Sequence, residues 1–192
     1  MFNEPYPFLS LGKSQINEIN LYKKYFYKFY ARHRTYLVTL ECYSFQMVAI
    51  KYCDVKDKNS SKAYHKIFND CDAPRVIGTC FHIMLHFWQK NKDVNFVFYA
   101  SMRKIAKELL DRKKLDETQI IPFIERYKRS RFSVYKYGMV NLFSYEYFIQ
   151  LSDYENCVYV LINRNLKSPA MIINQLTKFL QDNHDILFIP DV

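Results

Sequence analysis

Apolar side chains recur at helical spacing most clearly between Asp72 and Lys90. Val76, Ile77, Cys80, Phe81, Ile83, Met84, Leu85, Phe87 and Trp88 fill slightly over half of a helical circumference there. Arg75, Gly78, Thr79, His82, His86, Gln89 and Lys90 occupy the remaining arc. An apolar arc that wide predicts contacts on two sides, a sheet beneath and another element alongside. Asp72 is placed to cap this helix, and Pro74 is tolerated in a first turn whose amides lack intrahelical partners.

The remaining pattern supplies the other elements. Thr35–Tyr43 and Gln46–Cys53 are β-branched and aromatic runs separated by Ser44 and Phe45, which predicts a hairpin whose turn lacks the usual Gly or Asn. Val94–Ala100 and Asn156–Asn163 read as strands, and Ser168–Asn183 as a closing helix with Pro169 near its start. Ser101 caps a predicted amphipathic helix over Met102–Lys114, and Pro122 either kinks a continuation from Asp116 or starts a new helix reaching about Gly138. Between Ser14 and Ala31 two periods compete: a helix from Ser14 is preferred, with a strand from Tyr25 as the alternative. Residues 1–12, with Pro5 and Pro7, form an extended arm. The order predicts one α+β domain: a mixed sheet of four to five strands, the buried central helix at 72–90, and further helices packed on the sheet.

Composition narrows the class. The 192 residues include 17 Tyr and 16 Phe against 3 Gly, and a coding sequence poor in G and C accounts for much of that bias. The five cysteines are widely spaced and form no CxxC pair, so they read as reduced thiols of a cytoplasmic protein. The N-terminus has no charged-then-apolar order of a secretory signal, and no window approaches the ~20 apolar residues of a membrane-spanning helix. The formal net charge of +9 is concentrated: +5 over residues 1–71 and +6 over 101–138, against −3 over 139–192. A field of this kind draws polyanions or acidic protein faces.

Three groups of residues carry candidate chemistry. Arg126, Lys128, Arg129, Arg131 and Lys136 interleave with Tyr127, Phe132, Tyr135 and Tyr137, and nearby Lys104, Lys107, Arg112, Lys113 and Lys114 could widen the patch. That mixture of cations and rings holds single-stranded nucleic acid by charge and stacking, although solvated charge faces look the same and no GxxG or RNP signature is present. Arg131 also falls amid apolar neighbours, where an internal ion pair or a snorkelling stem is the expected role. Arg75, Thr79, His82 and His86 form a polar stripe on the central helix, either the wall of a cleft or simply the solvent face. His82 and His86 have a spacing that can meet one metal ion, but Ile83 stands where a zinc-protease motif has Glu and no third ligand is identifiable, so no metal is expected. No Ser or Cys nucleophile has a readable partner, and no catalytic residue is assigned.

The order of elements from Thr35 to Asn163 resembles that of small GNAT-like (N-acetyltransferase-like) proteins of phages and mobile elements. In the enzymes of that family a [QR]xxGx[GA] loop opens the central helix, and its amides bind the pyrophosphate of coenzyme A. Arg75 to Cys80 is similar, with Arg75 and Gly78 matching and Cys80 in place of the final Gly or Ala. Tyr135 resembles the helix Tyr that lies near the thioester sulfur. The resemblance implies acetyl-coenzyme A as a cofactor if the chain is such an enzyme; otherwise no cofactor is expected. The residues themselves favour a non-catalytic basic binding protein. Its partner would be a nucleic acid or a nucleoprotein enzyme, and inhibition of such a machine, as by phage anti-defence or anti-CRISPR proteins, is the analogous role. A homo-oligomeric structural module is the third class.

Overall fold

The computed structural model describes residues 4–18, 20–60, 72–99, 117–166, 168–184, 186 and 188–190. Among the described residues seven strands form one sheet: β1 (Phe8–Gln15), β2 (Leu21–Tyr30), β3 (Thr35–Tyr43), β4 (Met47–Asp54), β5 (Asn95–Tyr99), β6 (Phe148–Asp153) and β7 (Val158–Asn163). Their order is β1-β2-β3-β4-β5-β7-β6. Every neighbouring pair is antiparallel except β4 and β5, which run parallel and pair only from Met47↔Asn95 to Ala49↔Val97. Among the described residues the α-helices are α1 (Ala73–Lys90), α2 (Glu117–Leu142) and α3 (Pro169–His184). None of the described helices is long and apolar enough to cross a membrane.

The α+β class and the mixed sheet stand, but the sheet is larger than the expected four to five strands. Part of the increase comes from residues 14–31, where the preferred helix is replaced by the end of β1 and all of β2. LYKKYFYKFY also carries a two-residue period, and pairing with β1 and β3 selects it. Tyr25, Tyr27 and Phe29 enter the core side, and Lys24, Phe26 and Lys28 face the opposite side. A helix would scatter both sets around its circumference. Residues 8–12 of the expected arm likewise pair with β2, through a bulge between Ser10 and Gly12. β6 was not anticipated, and the helix ending near Gly138 continues to Leu142, with Pro122 inside its early turns. The hairpin, the 156–163 strand and the closing helix lie within a few residues of their expected bounds. Gln46, with φ of 59°, makes the hairpin turn in place of Gly. The expected helix over 102–114 lies outside the described residues.

Both sheet faces are covered, by different helices. On one face Tyr27, Phe29, Val38, Leu40, Ile50, Phe96 and Phe98 pack with α1 and the C-terminal half of α2. On the other, Tyr43, Met47, Ala49, Val97, Val160 and Ile162 meet Ile172, Leu176, Phe179 and Leu180 of α3. The wide apolar arc of α1 thus has its two contacts: the sheet, and α2 alongside. Gly138 of α2 lies so close to the Phe81 ring that a Cβ there would overlap it.

Candidate functional site

The α3 side of the sheet extends beyond α3 onto β1 and β2, and there the register aligns cations with rings. Lys24, Phe26, Lys28 and Tyr30 alternate along β2, opposite Glu41, Thr39, Leu37 and Thr35 of β3. The Lys28 ammonium sits 4.8 Å from the centroid of the Tyr30 ring, a cation–π distance. Tyr30 is 58% exposed, Phe26 and Lys28 are half-buried, and accessibility falls to nearly nothing at Thr39 and Cys53. The accessible part of the face is therefore its margin on β1 and β2, where Leu9, opposite Lys28, is also exposed.

Lys24 is tied into a polar cluster across three strands. Glu41 accepts from Lys24 at 3.1 Å and from Lys51 at 2.7 Å. The Tyr43 hydroxyl also donates to Glu41 at 2.9 Å. Burial alone would push the Glu41 carboxyl up, but the Lys51 and Lys24 ammoniums and the Tyr43 hydroxyl outweigh it and hold the carboxyl below its ordinary value. The cluster is two cations around one anion, so it retains a positive balance beside the row.

The polar stripe on α1 is covered by the chain's own N-terminal residues. The Tyr6 amide donates to Thr79 Oγ1 at 3.0 Å, and its hydroxyl donates to Asp72 at 2.7 Å. Arg75 Nε donates to the Glu4 carbonyl at 2.8 Å while its guanidinium stacks on the Tyr6 ring at 4.0 Å. His86 lies edge-on to Phe8 and Tyr27, and His82 is half-buried on the same helix. Asp72 therefore makes no side-chain cap to α1; its carboxylate serves the arm instead. Arg75 to Cys80 is helix, not loop, and Tyr135 is buried against Phe98, their ring centroids 5.5 Å apart.

The basic set expected over 101–138 is only partly visible. Arg126, Arg129 and Lys136 are exposed on α2, and Tyr137 is exposed beside them. Phe132 and Tyr135 are not stacking surfaces: Phe132 packs on Tyr154 and Tyr159, and Tyr135 is in the core. The side chains of Tyr127, Lys128 and Arg131 are not among the described ones, and Lys104, Lys107, Arg112, Lys113 and Lys114 lie outside the described residues. The row on β2 was missed because a helix was preferred there, although its Lys/aromatic alternation was already in the sequence.

Burial pushes the thiol of Cys42 up to about 12 and that of Cys53 up to about 11, and raises Cys80 as well. These cysteines are protonated near neutral pH and do not supply thiolate nucleophiles. No group of three or more His, Cys, Asp or Glu among the described residues is arranged to hold a metal ion. The chain matches no known protein family, no curated protein and no solved structure.

Proposed function

We propose that this chain binds single-stranded nucleic acid, free or within a nucleoprotein enzyme, along the outer part of the α3 face of its sheet. The observation that carries this reading is the alternation of Lys24, Phe26, Lys28 and Tyr30 on one face of one strand. Bases stack on rings while ammonium groups meet the phosphates between them; a strand places the two rings, and likewise the two lysines, ~13 Å apart, about two repeats of an extended backbone. The net charge of +9 supports the same reading, because it attracts polyanions before any specific contact is made. Exposed Arg126, Arg129 and Lys136 on α2 are a second set of cations for the strand or its protein partner. Inhibition of a nucleoprotein machine is the biological role this surface would serve.

The test separates charge from stacking. Lys28→Ala should weaken binding of a short single strand, RNA or DNA, and reduce the slope of log affinity against log salt by about 0.7. Tyr30→Ala should weaken binding by about 1–3 kcal/mol and leave that slope unchanged. Charge reversal of Arg126, Arg129 and Lys136 to Glu measures the share of α2. If neither β2 variant nor the α2 triple variant alters binding while all remain folded, the reading fails.

A further inference from the structure

We infer that the cleft between the β3–β4 turn and α3 is a pocket for one nucleobase that carries an exocyclic amino group; this rests on the nucleic-acid reading above. The cleft has a volume of about 340 Å³, within the range of small-molecule sites. Phe45 and Phe179 line it with tilted rings whose centroids are 5.7 Å apart. Asn20 and Ser44 form one lip, already assembled: the Ser44 amide donates to the Asn20 carbonyl at 2.8 Å, and the Ser44 hydroxyl donates to Asn20 Oδ1 at 3.3 Å. Gln175, Lys178 and Asp182 form the other lip, from α3.

These groups are complementary to a base, not to a phosphate alone. The partly exposed Phe45 ring stacks on its face above a floor made by buried Phe179, the amides of Asn20 and Gln175 each offer both a donor and an acceptor, and the Asp182 carboxylate accepts from an exocyclic amine. Lys178 is placed to meet the adjoining phosphate. Thymine and uracil fit poorly, because two carbonyl oxygens flank their one ring N–H and a carboxylate repels both. The pocket also connects with the proposed strand path. Asn20, on one lip of the pocket, directly precedes Leu21 at the start of β2. A strand following β2 from Tyr30 past Lys24 therefore arrives at the pocket.

The experiment is equilibrium binding of short single strands of one base each, adenine, cytosine or thymine, to the full chain and to Asp182→Asn. Adenine and cytosine strands should bind about tenfold tighter than thymine. Asp182→Asn should narrow that preference to about twofold, with the thymine affinity held or slightly raised by the lost negative charge. Asp182 is exposed on α3, so the variant leaves the core intact. Equal binding of the three strands, or a preference untouched in Asp182→Asn, overturns the pocket and leaves the β2 surface standing. Binding of no strand at all overturns both.

Discussion

Glu41 shows how a single residue joins stability to the candidate surface. It is nearly inaccessible, yet charged, because Lys24, Lys51 and Tyr43 replace the water it loses. Glu41→Gln leaves two ammonium groups facing each other, and should lower unfolding free energy at pH 7 by about 2 kcal/mol, given that both lysines keep some solvent contact. The carboxyl is held below its ordinary value in the folded chain, so its contribution is present above the unfolded value and is lost as pH falls through the folded one. Urea titrations should therefore show the gap between parent and Glu41→Gln closing as pH falls below about 4. A gap unchanged with pH would mean that the carboxylate charge is not what stabilises the cluster. Gly138 offers a test whose sign is decisive. Gly→Ala in an open helix position stabilises by about 1 kcal/mol, but here the added methyl enters the Phe81 ring. Gly138→Ala should instead destabilise by about 1–3 kcal/mol and lower the melting temperature; a rise would show that α1 and α2 are not in contact at this point.

At the scale of elements, the N-terminal arm and α1 define one another. The stripe of Arg75, Thr79, His82 and His86 looked polar because it was read as a surface, whereas two of its members bond the arm and a third packs under β1 and β2. Tyr6→Phe removes the hydroxyl bond to Asp72 and should cost about 1 kcal/mol. Tyr6→Ala also loses the stack on Phe29 and the Arg75 contact, and should cost about 2–4 kcal/mol in a denaturant melt. Equal losses in the two variants would place the whole contribution in the hydroxyl. β6 was illegible for a related reason. Gln150, Ser152 and Asp153 give it the polarity of a loop, but Gln150 Nε2 donates to the Phe143 carbonyl at 2.8 Å near the end of α2, and Asp153 accepts from Asn156 and Ile189. Its polar groups are satisfied by the end of α2, by the turn into β7 and by the distant Ile189 amide, and burial of these polar residues is set by that packing.

Over the whole molecule, the sheet divides its work between its faces. Among the described residues α1 and α2 pack on one side and α3 on part of the other, and Phe26, Lys28 and Tyr30 of β2 keep solvent access. Excess charge in residues 1–71 is thereby displayed on strands, not only on the helical segment 101–138 where the sequence directed attention. If the β2 margin is the binding surface, affinity should fall steeply with salt for the parent chain and less steeply for Lys28→Ala.

Much of this was legible from local chemistry alone. Helical spacing located α1 and α3, β-branched runs located β3, β4 and β7, and the breadth of the α1 arc implied its second partner, since periodicity and propensity act over a few neighbouring residues. The charge excess and the Lys/aromatic alternation were equally present in the chain. Long-range pairing settled the rest. Residues 21–30 carry enough aromatic residues for either period, and it is hydrogen bonding to β1 on one side and β3 on the other that makes them a strand. Likewise, whether Tyr135 and Phe132 stack on a ligand or enter the core depends on what packs against α2, namely Phe98, Tyr154 and Tyr159. Those contacts join residues far apart in the chain, so their energy has no signature in any short window of sequence.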